Sequence, residues 1–210
     1  MSHEVNEPTA TYATANQAEA DLLVPEALIY EMVDGQPIYY RGWREVLNNE
    51  KTIEQIMPSS LLQGYLVGEI FAILHAQLRK QYILTTNEIG LKFDKNDWRA
   101  ADIAIFPKGT LTSLYNKYAN ERPSIVIEVD TKADAQNLAT YYRDKTKHLH
   151  QHGIQKVIWV YTETEQIMIA EPNKHWEIFD WTETVEVVEG VGFNVGEILE
   201  GFEEVKIKDK

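Results

Sequence analysis

An α/β domain built on a mixed sheet, an α+β arrangement with flanking helices, is what this chain predicts, and three observations carry the prediction. The segments read in the order hairpin, helix, strands, strand, helix, strand, hairpin, which interleaves helical and extended elements around one core. Leu62, Leu66, Ile70, Leu74 and Leu78 recur every four residues, the pattern of a helix with one apolar stripe. Lys156-Val157-Ile158-Trp159-Val160-Tyr161 is a continuous apolar run, the kind of strand a sheet buries on both faces.

Residues 1–26 are rich in Ala, Thr, Asn and Glu without apolar periodicity and read as a disordered tail. Residues 27–210 read as a single domain, with no repeat and no internal linker. Leu28–Val33 and Ile38–Tyr40 flank the turn residues Asp34-Gly35-Gln36-Pro37 and predict an N-terminal β-hairpin. Glu50–Met57 predicts a short helix, and Pro58-Ser59-Ser60 supplies a break and an N-cap for the long helix Leu61–Lys80. Tyr82–Thr86 and Ile89–Phe93 predict two strands with Asn87-Glu88 as the turn between them, Asp94-Lys95-Asn96-Asp97 reads as a turn, and Arg99–Phe106 predicts a third strand. Lys108–Arg122 reads as a loop with a helical turn. Ala133–His152 predicts a helix that Gly153 ends as a C-cap. Gln166–Ala170, Trp176–Trp181 and Val185–Val188 predict strands, and Val195–Leu199 a closing turn.

Composition narrows the function classes. A hydrophobic share of 44% can fill a core, and the absence of cysteine excludes disulfides and thiolate zinc sites. With no run of membrane-span length and no basic-then-apolar N-terminus, the reading is a cytoplasmic protein with no membrane partner. A net charge of −13 argues against an abundant non-specific DNA binder, because the average field repels polyanions. It leaves room for an enzyme that meets DNA through a local basic groove and a divalent cation.

Chemistry concentrates in two strands. Ser124-Ile125-Val126-Ile127 runs into Glu128, with Asp130 and Lys132 following at a spacing of two, so that a continuing strand would project all three to one face. Asp102 likewise interrupts the apolar run around Ile103-Ala104-Ile105. A buried carboxylate is costly unless paired or bound to metal, whereas the same residues on a fraying strand end cost nothing. Two acids ending neighbouring strands suit magnesium, which takes hard oxygen ligands and keeps several waters. A nearby lysine would position or deprotonate the attacking water, or stabilise the charged transition state. Lys132 and Lys145 compete for that role, and a lysine on an apolar helix side is more often a snorkelling surface residue.

Other signatures carry less. His148 and His152 stand four apart on the predicted helix, a metal-ligand spacing, but no third ligand stands out, and with His75 and His150 they read as a helix surface. Nucleophile elbow, Gly-rich phosphate loop and cysteine pairs are missing from the sequence. The five tryptophans read as core or interface residues.

The segments "DGQPIYYRGWREVL", "IMPSSLLQGYLVGEIFAIL", "NEIGL", "ADIAIF", "IVIEVDTKAD" and "YYRDKTKHLHQHGIQKVIWVY" resemble the Uma-two family of restriction-endonuclease-like proteins, in the PD-(D/E)XK nuclease superfamily. The resemblance spans about Tyr30 to Phe202. It implies a restriction-endonuclease-like core, a mixed sheet flanked by helices, that binds Mg2+ or Mn2+ for phosphodiester hydrolysis. By position, Asp102 matches the aspartate of the "PD" element and Glu128 the acid of the "(D/E)XK" element. Asp130 stands where the motif lysine usually falls, and Lys145 matches the lysine displaced to the following helix. Ala101 replaces the motif proline, and Gln63 stands near a position often held by histidine.

The resulting expectation is a Mg2+- or Mn2+-dependent DNA endonuclease. Asp102 and Glu128 hold the metal with Asp130 assisting, Lys145 or Lys132 activates water, and Glu88 lines the site. A homodimer is expected from the two-fold symmetry of duplex DNA. The alternative is a binding or scaffold module that keeps the nuclease fold without cleavage, favoured by the charge and by Asp130 in the lysine position. A nuclease for another polynucleotide, such as a repair intermediate, is the third reading.

Overall fold

The computed structural model describes residues 24–111, 113–135 and 137–200. Residues 1–23 of the predicted tail and the last ten residues of the predicted domain lie outside this range. The mixed α/β architecture read from the sequence is borne out. One sheet carries β1 (Ile29–Val33), β2 (Gln36–Tyr39), β3 (Tyr82–Asp94), β4 (Asp97–Pro107), β5 (Ile125–Val129), β6 (Lys156–Tyr161), β7 (Gln166–Ala170) and β8 (Glu177–Asp180). Its order is β2-β1-β4-β5-β6-β7-β8, with β3 also pairing with β4. The β5–β6 pair is parallel, and the other pairs are antiparallel. A separate hairpin holds β9 (Val185–Val188) and β10 (Val191–Phe193). The helices are α1 (Trp43–Leu47), α2 (Ile53–Ile56), α3 (Leu61–Leu78), α4 (Leu138–Gln151) and α5 (Val195–Leu199).

Strand β4 organises the sheet. One of its edges pairs with β3 from Tyr82↔Pro107 to Asp94↔Asp97. The other edge is shared: Trp98 pairs with Met32 of β1, whereas Ile103, Ala104 and Ile105 pair with β5. Asp102 therefore stands where β4 exchanges one partner for the other.

The two faces of the sheet are covered differently. Against one face, α3 buries Leu66, Ile70, Leu74 and Leu78 with Ile103, Ile105, Ile127 and Ile158 in an apolar layer. Ser60 caps the helix by accepting the Gln63 amide at 3.1 Å. By length and composition α3 is apolar enough to cross a membrane, which the sequence reading did not register; 28% of it is buried, including Leu66, Ile70, Leu74 and Leu78 against the sheet. On the other face, Tyr141 and Leu149 of α4 pack on Ala101, Ala104, Val126 and Trp159.

Local departures have local causes. Asn87 and Glu88 are not a hairpin turn: both take positive φ (75° and 51°) as a bulge within the single long strand β3. The turn read at Asp94-Lys95-Asn96-Asp97 is the one that joins β3 to β4. Helix α4 starts at Leu138 rather than near Ala133, because Ala133 bridges Tyr40 in extended form and Asn137 caps the Thr140 amide. Helix α1 has no counterpart in the sequence reading. No helical turn occurs among the described residues of 108–122.

Candidate active site

Strand β5 is buried throughout, and alternation divides its side chains between the two cores. Ile125, Ile127 and Val129 enter the α3 layer, and Val126 enters the α4 layer, which places Glu128 on the α4 side. Antiparallel pairing of Ile103 with Ile127, continued by one residue, sets Asp102 opposite Glu128. The carboxylate of Asp102 is held by the Val129 amide, which donates to Oδ2 at 2.7 Å. Gln63 of α3 donates to the Val129 carbonyl at 2.7 Å and so fixes the next peptide of the same residue.

Lys145 reaches this pair from α4. Its ammonium, fully buried, lies 2.9 Å from Glu128 Oε1 and 2.8 Å from Glu31 Oε1, at ion-pair distance though without hydrogen-bond alignment. Tyr30, Tyr141 and Trp159 surround it, with ring centroids 5.9, 6.0 and 5.6 Å away, so aromatic faces replace the lost hydration. Glu31 anchors the assembly. It accepts from Arg99 at 2.7 Å, from the Tyr141 hydroxyl at 2.9 Å and from the Ala100 amide at 3.2 Å.

The buried cluster thus holds three carboxylates against two cations, and the imbalance falls on Asp102 and Glu128. Burial pushes Glu128 up to about 8, against the pull of Lys145, and Asp102 and Glu31 add to the rise. Burial likewise lifts Asp102 to about 6, opposed by the Val129 amide. For Glu31, burial raises and the two cations lower, and the cations win. Burial disfavours the Lys145 ammonium, yet Glu128 and Glu31 outweigh it and hold its pKa above the ordinary lysine range. Two carboxylates with elevated proton affinity in a dry site suit a hard divalent cation, which would take the place of the proton. Among the described residues the buried Glu128 Oε1 makes no hydrogen bond, an orphaned acceptor at the place a cation would take.

Asp102, Glu128 and Lys145 therefore converge, whereas the other sequence candidates stand apart from that centre. Strand β5 ends at Val129, and Asp130 takes a left-handed φ of 57°, so the shared face expected of Glu128, Asp130 and Lys132 does not form. Asp130 instead accepts from the Thr162 amide at 2.9 Å and the Thr162 hydroxyl at 2.5 Å. Lys132 pairs with Glu88, and both groups bear electrostatically on Asp102. Beside them opens a cleft of about 560 Å³, lined by Arg41, Lys51, Gln63, Asp130, Lys132 and Tyr142 among others; Asp102, Glu128 and Lys145 do not line it.

Sequence reasoning missed Glu31, Arg99 and Tyr141. Glu31 carried the signal that singled out Asp102 and Glu128, an acid inside the apolar run Leu28–Val33. The histidines also need correction: His148 is buried rather than on a helix surface, and Asp97 faces both it and His152.

The comparisons agree with this architecture. A crystal structure titled as a putative nuclease belonging to DUF820 from Anabaena variabilis ATCC 29413 superposes with a TM-score of 0.62 at 17% identity. The match covers 86% of this chain and 95% of that one, and it shows a shared fold. No curated protein matches the chain. The model of the Uma2 family, described as "Putative restriction endonuclease", matches residues 41–203, and the chain belongs to that family.

Proposed function

We propose that the chain is a divalent-metal-dependent nuclease that hydrolyses phosphodiester bonds of DNA, with Asp102 and Glu128 as the ligands of Mg2+ or Mn2+. The observation that carries this reading is the convergence of Asp102, Glu128 and Lys145 from β4, β5 and α4 into one buried cluster with an excess carboxylate. A bound divalent ion supplies charge neutralisation at the phosphoryl oxygens and lowers the pKa of water. Lys145 does not serve as a general base, because its carboxylate partners keep it protonated. Its fixed cation offsets the negative charge that builds on the phosphoryl group, and it holds the Glu128 carboxylate in place. Glu31 acts through Lys145, as a positioning residue. Lys132 and Glu88 act on Asp102 electrostatically, and the adjoining cleft sets Arg41, Lys51 and Lys132 against Glu45, Asp130 and Glu163. Lys51 and Lys132 are paired with Glu45 and Glu88, which leaves Arg41 as its readiest cation for a phosphate backbone.

Nicking of supercoiled plasmid in Mg2+ and Mn2+ tests the reading, with Asp102→Asn and Glu128→Gln as controls. Metal-dependent nicking by the parent protein, lost in both variants, is the expected result; equal residual nicking in all three points to a contaminant and sinks it. The second reading, a nuclease-fold scaffold, draws on the burial of Asp102, Glu128 and Lys145, which are 8%, 2% and 0% exposed. Calorimetry separates them, since a scaffold shows neither nicking nor Mn2+ uptake dependent on Asp102. A homodimer remains part of the proposal, and sedimentation of the protein with and without duplex DNA tests it.

A further inference from the structure

Asp97 opens β4, and His148 and His152 lie on and just beyond the last turns of α4, so strand and helix bring the three side chains together from 51 residues or more apart in sequence. His148 Nε2 lies 3.2 Å from both Asp97 oxygens and hydrogen-bonds to Oδ2, and His152 Nε2 lies 3.4 Å from Oδ2. Ligands placed about 2.0–2.1 Å from a tetrahedral ion sit roughly 3.3 Å from one another. The two histidine–carboxylate distances match that spacing, and one donor atom from each of the three residues falls within 4.8 Å of the others, close enough for one ion to gather them. His150, between the two, turns away and contacts the Ile154 carbonyl at 2.9 Å, so the i, i+4 pair alone faces the carboxylate.

Two further features mark the place as built. Asp97 is 5% exposed and its Oδ1 makes no hydrogen bond, an unsatisfied buried oxygen aimed at the imidazoles. Phe93 fixes the rings, stacking on His152 at 4.3 Å and meeting His148 edge-on at 5.1 Å. Of the cations nearby, Arg99 is neutralised by Glu31 and Arg122 is drawn over the Phe93 ring, donating to the Lys92 carbonyl. Two imidazoles and one carboxylate favour a borderline divalent transition ion over Mg2+, whose usual ligands are oxygens.

We propose that Asp97, His148 and His152 form a zinc-class metal site, separate from the Asp102–Glu128 pair, that staples the end of α4 to the start of β4. Three protein ligands leave one position for water on the side where His152 is about one-third exposed. The staple lies one helical turn beyond Lys145 and holds that turn against the sheet. It does not rest on the nuclease reading.

The test uses the full chain stripped of metal and titrated with Zn2+ by calorimetry, with thermal melting in parallel. One tight equivalent is expected, raising the melting temperature by mass action. His152→Ala, a substitution at a partly exposed position, is expected to fold, to bind Zn2+ at least about 10²-fold more weakly and to lose the thermal shift. Asp102→Asn combined with Glu128→Gln is expected to keep the Zn2+ equivalent. No tight uptake by the parent chain overturns the proposal, as does a His152→Ala variant that binds equally well. Zn2+ binding lost only in the Asp102/Glu128 variant overturns it too, by placing the ion in the other site.

Discussion

The two faces of the sheet solve the same packing problem with different chemistry. Under α3 lies an apolar layer of Leu, Ile and Val with Trp181 and Phe193, joined by the amide of Gln63, while under α4 the layer admits Glu31, Arg99, Asp102, Glu128, Lys145 and His148 among small and aromatic side chains. Apolar burial contributes about 25 cal/mol per Å² without geometric demands, whereas each buried charge costs several kcal/mol unless its partners are placed within hydrogen-bond reach. The α3 face therefore stores stability, and the α4 face spends some of it to hold charges in a dry site. Substitutions on the two faces should separate folding from chemistry.

The largest effect is expected at Asp102 and Glu128. Asp102→Asn should cut metal-dependent nicking by about 10²–10³-fold, in the range seen when a transition-state-stabilising group is removed. The same variant should be more stable than the parent at pH 8 without metal, because it removes a carboxylate that burial disfavours. Chemical denaturation and nicking on one preparation check both halves. A variant that loses stability and activity together would make Asp102 a structural residue only.

Glu31→Gln comes next. Removing its charge leaves Arg99 and Lys145 short of a partner in a fully buried place, and breaking such a pair costs about 3–5 kcal/mol. Urea denaturation measures the loss. Lys145 would then rely on Glu128 alone, so the pH profile of nicking should shift as well. On the opposite face, Ile70→Ala should cost about 2–5 kcal/mol through the cavity it leaves, with Mn2+ affinity per folded molecule unchanged. A comparable drop in metal affinity in Ile70→Ala would erase the distinction between the faces.

The acidic pair also writes a pH dependence. Folded Asp102 and Glu128 hold protons up to about pH 6 and about pH 8, while the unfolded chain releases them near the ordinary carboxylate values. Between those values the folded state binds more protons, so stability of the metal-free protein should fall as pH rises from about 4 towards 8. Glu31, held below its ordinary value, acts in the opposite sense, and its contribution is lost on acidification below about pH 4.5. Millimolar Mg2+ should flatten the fall above pH 5 by binding the ionised pair. A melting temperature indifferent to pH in that window, with and without Mg2+, would contradict the carboxylate assignment.

These contrasts show which parts of the molecule the sequence made legible. The apolar stripe of α3 and the run of β6 declared themselves by period, since one buried face imposes a repeat on the chain. Asp102 and Glu128 were visible because each interrupts such a run. Glu31 sends the same signal, but its partners lie 68 residues away in Arg99 and farther still in Lys145, and no local pattern joins them. The conformation of Asp130 was hidden for another reason. A non-glycine residue at φ 57° gives no compositional hint, yet that one dihedral breaks the alternation on which its grouping with Glu128 and Lys132 relied. Asp97 was passed over because it was read only as part of a turn, and nothing local joins it to histidines 51 residues or more away.

The smallest effect should be that of Lys132→Ala. Lys132 and Glu88 form an ion pair at the edge of the cleft, with side chains 11% and 31% exposed, so its loss should cost about 1–3 kcal/mol, less than breaking the fully buried Glu31 network. On nicking, the residue should weaken DNA binding more than the chemical step, raising KM while kcat stays within about an order of magnitude. Lys145→Met should do the reverse, because its buried ammonium sits between Glu31 and Glu128 and does not line the cleft. Measuring kcat and KM separately for the two variants tests the lysine assignment directly. Equal collapse of kcat in Lys132→Ala would move the catalytic cation to the loop after β5 and leave Lys145 as the counter-ion that keeps Glu31 and Glu128 buried.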